Sequence, residues 1–399
     1  MFDNVRNKFD DYCCIFRLVK FAINNINGSV DDLKVNWKNV FALANQMSFT
    51  VLAKIGIDLL TGENVPEKAI KDLFNREYKK QILIDANQFY ELDIIMSAFE
   101  KENIDMLTLK GSSIKKIYPQ THYRYMGDID TLVNKADFDK ADKVLASLGY
   151  KEISFGTHDK VYKKEPFINL EQHFTLAEGA SKKVVDYYNN IWNESKLKSG
   201  FKHIYEMTLE DIYIYLSVHA VHHINYSGIA PRIFLDYYVF LEKHKGILDM
   251  EYINNILDSF NYASFNNVAV TLAYKWFSKE GSGLDKTSTV DLFIADCSTY
   301  GTTEHNVGLR TARMAKNGKK PNKLLFILKQ IFPPYNRIKS EFPILKKSPL
   351  VLPFAWIAYL LKRVFNKSRT IKYYSDINEE TAILYNSIIS DLGLNDIEK

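Results

Sequence analysis

The chain has 399 residues, a net charge of +4, 46% hydrophobic residues and 25% charged residues, which is the balance of an ordinary globular protein. Its length suggests two or three domains, and 25 Tyr with 25 Phe argue against extensive disorder. Cys13, Cys14 and Cys297 show neither metal-ligand spacing nor a disulfide framework, which indicates a reducing cytoplasm. No secretory signal is expected, and the longest apolar run, Pro349 to Leu361, is too short to span a membrane.

Residues 1–104 are predicted to form a helical N-terminal region. Apolar residues recur with a helical period from Phe9 to Ile23 and from Trp37 to Ala53. Pro66 followed by Glu67 suits the start of another helix. This region shows no catalytic cluster, so we expect it to brace the next domain or to contact an acceptor.

Residues 105–200 are predicted to form the catalytic core. A strand at Met106 to Leu109 breaks at Gly111, and after two serines, Ser112 and Ser113, a helix is predicted from Ser113 to Tyr118. Exposed backbone N–H groups and two hydroxyls can cradle a triphosphate at such a turn.

Two aspartates follow this turn. Asp128 and Asp130 stand two residues apart, and if their run is a strand, both carboxylates leave the same face. Adjacent carboxylates repel each other unless a cation lies between them, and Mg²⁺ commonly binds one or two carboxylates together with substrate phosphates. Two such ions can activate a hydroxyl and stabilise leaving pyrophosphate. The sequence therefore predicts two Mg²⁺ ions, with Mn²⁺ as an alternative.

A further candidate carboxylate lies on a later predicted strand. Strands are predicted at Val161 to Lys163 and at Ile168 to Leu176, after a helix that ends before Gly149. Alternation puts Glu171 and His173 on a polar face of the second strand. Glu171 would activate the acceptor hydroxyl or complete a metal site, the alternative being an exposed strand carboxylate. His173 would contact phosphates, orient Glu171, or serve only the fold.

Two basic residues are candidate phosphate partners. Arg124 can form a bidentate fork and Lys110 can act as a point charge. Arg124 is the stronger candidate, because Lys110 can point away as its strand alternates.

These motifs resemble the DNA polymerase β-like nucleotidyltransferase superfamily, and more narrowly its bacterial uncharacterised nucleotidyltransferase family. The resemblance is carried by Leu109-Lys-Gly111, Tyr118-Pro119, Arg124, Gly127-Asp-Ile-Asp130, Leu148-Gly-Tyr150 and the Glu-x-His pattern of Glu171 and His173. It implies a phosphate-binding turn at Gly111 and Ser112 and metal ligands at Asp128 and Asp130. One departure is the fifteen-residue spacer from 113 to 127, which is longer than usual and rich in tyrosine.

Residues 201–300 are predicted to be helical. Thr208 suits a helix cap, and His219 and His223 share a face of that helix, where a metal can bind. A structural role for the two histidines is favoured, because the chain lacks the accompanying ligands of a zinc protease motif. The resemblance implies a polar network that involves a histidine of this helix and Asp236.

The C-terminal region, 301–399, is predicted to be helical, basic and rich in apolar residues. Residues 302–373 contain sixteen Lys and Arg against Glu304 and Glu341, a local charge of +14. Such a segment suits an anionic membrane surface or RNA. The alternative is a helical cap whose lysines are merely solvated.

Together these features predict an α+β protein in which helical N- and C-terminal regions flank a small mixed sheet. The predicted protein is cytoplasmic, either free or peripheral at the inner membrane face. Its expected activity is Mg²⁺-dependent transfer of a nucleoside monophosphate from an NTP, with ATP favoured, to a hydroxyl acceptor. The alternatives are a catalytically silent binding module in a biosynthetic or defence system, and RNA tailing. Base preference, acceptor and oligomeric state are not assigned.

Overall fold

The computed structural model describes residues 2–156, 158–166, 168–177, 180–226, 228–298, 301–315, 320–335, 338, 342, 344–365 and 377–395. The chain divides into two units. The first comprises residues 1–222, 229–299 and 392–399, and the second comprises 223–228 and 300–391.

Helices make up most of the described chain. Up to residue 299 they are α1 Asp3–Asn7, α2 Phe9–Asn24, α3 Trp37–Gln46, α4 Thr50–Asp58, α5 Lys68–Lys101, α6 Lys110–Lys115, α7 Phe138–Ser147, α8 Lys182–Asn189, α9 Ile191–Glu194, α10 Leu209–Tyr226, α11 Pro231–Lys243, α12 Met250–Ser259, α13 Ala263–Phe277 and α14 Thr289–Asp296. The strands are β1 Met106–Thr108, β2 Ile129–Val133, β3 Lys151–Phe155, β4 Asp159–Lys164, β5 Ile168–His173, β6 Lys196–Leu197 and β7 Ile204–Glu206.

The described strands form one sheet, in the order β3-β4-β5-β2-β1-β7-β6. Strand β2 pairs in parallel with β5 and antiparallel with β1, while β1 pairs in parallel with β7. The sheet is therefore mixed and has helical regions before and after it, which confirms the predicted α+β class. It continues to Glu206, beyond residue 200 where the predicted core ends.

One face of the sheet packs against α5 and α7. The core on this face contains Leu92, Ile95, Met96, Phe99, Met106, Ile129, Val133, Phe138, Ala141, Leu145, Ile168 and Leu170. Because side chains alternate along a strand, the same packing turns Asp130, Glu171 and His173 to the opposite face. Each buried Leu or Phe stabilises the fold by about 1.5–3 kcal/mol, so this core fixes the strands that carry the polar face.

The N-terminal helices differ from the prediction in one place. The predicted helix from Trp37 to Ala53 is two helices, α3 and α4, with Ser48 between them at a φ of 62°. A residue in this left-handed region ends a right-handed helix. The helix after Pro66 is present as α5, which begins at Lys68.

Two predicted helix ends are confirmed. Gly149 follows α7 with a φ of 88°, a conformation that suits glycine. At the start of α10, the Asp211 N–H donates to Thr208 Oγ1 over 3.1 Å, and the Thr208 hydroxyl donates back to the Asp211 carboxylate.

Some boundaries near the polar face differ from the prediction. Strand β2 begins at Ile129, where its ladder with β5 starts, so Asp128 lies just before the strand. Helix α6 begins at Lys110 rather than Ser113, and β5 ends earlier than predicted, at His173.

The second unit is helical, as predicted for the C-terminal region. Its helices are α15 Thr303–Met314, α16 Lys323–Ile331, α17 Ile344–Lys347, α18 Leu352–Phe365 and α19 Glu379–Asp391. Helices α15 and α19 pack closely at Gly308, where a Cβ would lie 2.2 Å from the ring of Tyr385. None of the described helices of the chain is both long and apolar enough to cross a membrane.

Candidate functional site

Strands β2 and β5 bring two acidic side chains together on the polar face of the sheet. In their parallel ladder Asp130 pairs with Glu171, and paired residues of adjacent strands present their side chains to the same face. Asp130 is buried, whereas Glu171 is half-buried and remains accessible to a ligand. The structure therefore brings two of the three predicted carboxylates together.

His173 completes a group of three potential metal ligands. Its Nε2 lies 3.2 Å from Asp130 Oδ1 and 3.8 Å from Glu171 Oε2. One ligand atom from each of these residues lies within 4.8 Å of the other two. Carboxylate oxygens and imidazole nitrogens bind divalent ions, so this group, named here the central triad, can hold a divalent metal.

Asp128 is not a member of this triad. It precedes β2 and is half-buried. Among the described residues, neither group of three closely spaced potential ligands contains Asp128.

Gly111 borders the central triad. A Cβ at this position would lie 2.8 Å from Met126 Sδ and 3.7 Å from Asp130 Oδ2. The absence of a side chain therefore lets this segment pack closely against Met126, with the Asp130 carboxylate nearby.

The serines of this turn have different environments. Ser112 is 2% exposed, and its hydroxyl donates to the Leu109 carbonyl over 3.0 Å, which stabilises the turn. Ser113 is half-buried. The side chain of Lys110, a predicted phosphate partner, lies outside the described residues.

Arg124, the other predicted phosphate partner, forms a buried ion pair. Its Nε donates to Asp236 Oδ1 over 2.7 Å and its Nη2 to Asp236 Oδ2 over 2.8 Å, and the Tyr118 hydroxyl also donates to Oδ1. Burial alone would lower the pKa of Arg124, but the Asp236 carboxylate raises it above its ordinary value. The guanidinium therefore fixes the position of the segment before β2 relative to α11.

A second buried ion pair anchors the tyrosine-rich segment 113–127 to α5. Lys115 Nζ lies 2.5 Å from Asp85 Oδ1, and its side chain is fully buried. Burial lowers the pKa of Lys115, although Asp85 favours its charged form. The Thr121 hydroxyl donates to Asp85, and Gln88 donates to a main-chain carbonyl of the segment. Sequence reasoning missed this network, because a lysine in a predicted helix is usually solvated.

Sequence reasoning also missed a second group of potential ligands. His158, Asp159 and His173 each offer an atom within 4.8 Å of the other two. Asp159 faces His173 through antiparallel pairing of β4 with β5, which the local sequence does not reveal. Among the described residues, neither group contains His219 or His223.

The chain is similar to a known protein family and to a solved structure. A family model described as uncharacterised nucleotidyltransferase matches residues 34–278, which is more than half of the chain. The solution structure of the antibiotic-resistance factor ANT(2'')-Ia aligns with a TM-score of 0.33 and 13% sequence identity, over 46% of this chain and 97% of the other. No curated protein sequence matches the chain significantly.

Proposed function

Because the chain belongs to the uncharacterised nucleotidyltransferase family, we propose that it transfers a nucleoside monophosphate from an NTP to a hydroxyl acceptor. The observation that supports this activity most directly is the pairing of Asp130 with Glu171 on adjacent strands, beside the Gly111 turn. We propose ATP as the donor, and a DNA polymerase β-like ancestry for the core.

The donor groups of the polar face fit divalent metal ions. Two carboxylates and an imidazole converge in the central triad. Two neighbouring charged carboxylates in a partly buried site repel each other unless a cation neutralises them. Asp128, Asp130 and Glu171 would hold two Mg²⁺ ions, or Mn²⁺ in their place. When bound, these ions supply positive charge for the triphosphate and lower the pKa of a coordinated hydroxyl.

The chain itself would position the reactants. The triphosphate would bind near Gly111 and Asp130, which lie close together. We propose Ser112, Ser113 and Lys110 as its phosphate partners. Glu171, which is half-buried, would accept the proton of the acceptor hydroxyl. A bond then forms between the acceptor oxygen and the α-phosphorus, while the bond from the α-phosphorus to the bridging oxygen breaks and pyrophosphate leaves.

Arg124 and His173 would assist in different ways. Arg124 already forms an ion pair with Asp236. Its positive charge would therefore attract the phosphates either while this ion pair remains intact or after the ion pair has opened. His173 would hold the Asp130 carboxylate in place through the 3.2 Å contact.

The activity is tested by pyrophosphate release from labelled NTPs with Mg²⁺ and an acceptor library. Asp130→Asn should abolish release, whereas Asp105→Asn should retain it, because Asp105 lies before β1, where it pairs with His203 outside the central triad. A variant Asp130→Asn as active as the wild type would overturn the assignment.

Calorimetry with a non-hydrolysable ATP analogue and Mg²⁺ separates this proposal from the silent-module alternative. Tight binding without transfer to any acceptor would favour a binding module. Absence of both binding and transfer would refute a nucleotide site.

The second unit carries an exposed apolar surface that favours a membrane location. The apolar stripe, which runs along α18 and the turn before it, consists of Leu350, Phe354, Ile357 and Leu361, with exposed fractions of 87, 71, 56 and 53%. Their spacing of three or four residues places them on one face of a helix. Because residues 302–373 carry +14, we propose that this surface lies on anionic lipid at the cytoplasmic face of the membrane.

Vesicle flotation of the full-length protein tests this location. Binding to phosphatidylserine vesicles at low salt, but not to neutral vesicles, is expected, and Phe354→Asp with Ile357→Asp should abolish it. Ile383→Asp is the control, because Ile383 is 65% exposed but lies on α19, outside the stripe. Absence of binding to anionic vesicles would refute the proposal. If the protein instead shifted the electrophoretic mobility of RNA, the basic segment would be assigned to RNA binding.

A further inference from the structure

The polar face of the sheet continues past the central triad to β4. Asp159 is paired with His173 in the antiparallel ladder of β4 and β5, so their side chains lie on the same face. His158, the residue before β4, stacks its ring on His173 with 5.9 Å between centroids and 24° between planes. We propose that His158, Asp159 and His173 form a transition-metal site that is distinct from the proposed Mg²⁺ site.

The composition of this group determines the class of metal. Two imidazoles and one carboxylate are the ligands that Zn²⁺ and neighbouring transition metals prefer, and three protein ligands leave a fourth position for water. Mg²⁺, in contrast, requires oxygen ligands in near-octahedral geometry. The site therefore takes Zn²⁺, or Co²⁺ as a spectroscopic substitute, even when Mg²⁺ is abundant.

The geometry of the group permits metal entry with small side-chain movements. The potential ligand atoms all lie within 4.8 Å of one another, and His158 Nε2 lies 3.5 Å from Asp159 Oδ2. His173 and Asp159 are largely buried, whereas the His158 side chain is 41% exposed and leaves a path from solvent. Lys160, the next residue of β4, pairs with Asp142 and Glu152, so strand alternation directs its charge away from the three ligands.

His173 belongs to both groups of ligands. Its Nε2 faces Asp130 and Glu171 in the central triad. A neutral imidazole has only one ring nitrogen with a free lone pair, so His173 binds one ion at a time. A measurement of the new site must therefore first weaken the central triad.

Zn²⁺ titration of the full-length Glu171→Gln variant tests the site, with calorimetry for affinity and Co²⁺ absorption for nitrogen ligands. One Zn²⁺ should bind in the presence of excess Mg²⁺. Adding His158→Asn should weaken binding more than about 100-fold, which exceeds the usual effect of losing an outer-shell partner. His203→Asn is the matched control and should leave affinity unchanged, because His203 also pairs with an aspartate, Asp105, but belongs to neither group of three potential ligands among the described residues.

Circular dichroism shows whether the variants fold, and Asp159→Asn replaces His158→Asn if the latter does not. No Zn²⁺ binding by Glu171→Gln, or equal binding after loss of His158 or Asp159, would overturn the proposal. The measurement uses neither NTP nor turnover, so its failure is distinguishable from failure of the proposed nucleotidyl transfer.

Discussion

Arg124 and Asp236 form a buried bidentate ion pair, with their hydrogen bonds at 2.7 and 2.8 Å and side-chain exposures of 7% and 0%. They are separated by 112 residues, so this pair joins the segment before β2 to α11. A buried pair stabilises little compared with apolar residues of equal volume, but the loss of one partner leaves an uncompensated charge.

Arg124→Met is therefore expected to lower the free energy of unfolding by about 3–5 kcal/mol. Urea unfolding followed by circular dichroism measures the change. Arg17→Met is the matched control, because Arg17 forms the same fork with Asp32 at 2.5 and 2.8 Å but both side chains are exposed. Arg17→Met should lower the free energy of unfolding by less than about 1 kcal/mol. An equal decrease for both variants would contradict this prediction.

Gly111→Ala should separate stability from activity. The new Cβ would press on the flexible Met126 side chain and enter the space beside Asp130. Alanine favours a helix by about 1 kcal/mol over glycine, which offsets the cost of moving Met126 within α6. The melting temperature should change little while kcat/KM for the NTP falls at least about tenfold. Lys116→Ala is the control, because Lys116 directly follows α6 and its side chain is 49% exposed. A fully active Gly111→Ala variant would show that this glycine is not part of the site.

Buried tyrosines predict loss of stability in alkali. Burial raises the pKa of four fully or nearly fully buried residues, Tyr118, Tyr188, Tyr213 and Tyr237. In the unfolded chain they lose protons near pH 10, whereas the folded state retains them, so stability present below pH 10 is lost as the pH rises further. Each of these tyrosines lowers the free energy of unfolding by about 1.4 kcal/mol for every pH unit above pH 10.

Absorbance at 295 nm and circular dichroism along a pH titration measure this effect. The four buried tyrosines should ionise together with the loss of the helical signal. Ionisation of all 25 tyrosines in a protein that stays folded would contradict it.

The cysteines should be almost unreactive in the native protein. Burial raises the pKa of Cys13 to about 12 and raises that of Cys14 further, and Cys297 is fully buried. Because the thiolate is the reacting species, reaction with a disulfide reagent at pH 8 should be slower by about a thousandfold or more than after unfolding in guanidinium. Rapid labelling of one thiol in the native protein would contradict this expectation.

The strands show where local sequence was sufficient. Apolar and polar residues alternate in Ile168–His173, so the position of Glu171 and His173 on one face followed from the period of two alone. Helix ends marked by Gly149 and Thr208 were also predictable, because capping depends on a few neighbouring residues.

Other features had no local signal. Nothing in the sequence of α3 and α4 indicated that Ser48 would interrupt them. Asp128 was expected to share a strand with Asp130, yet the ladder begins at Ile129, where β5 supplies its first partner. The short strands β6 and β7 were missed, because two or three residues carry too little periodicity to identify.

By itself, the sequence determined the α+β class and the residues that could carry charge on the polar face. Only the tertiary structure decided which of these residues meet: Asp130 with Glu171, His173 with Asp159, Lys115 with Asp85, and Arg124 with Asp236. The physical reason is that alternation and capping act over a few residues, whereas strand register and buried ion pairs depend on packing between segments far apart in the chain.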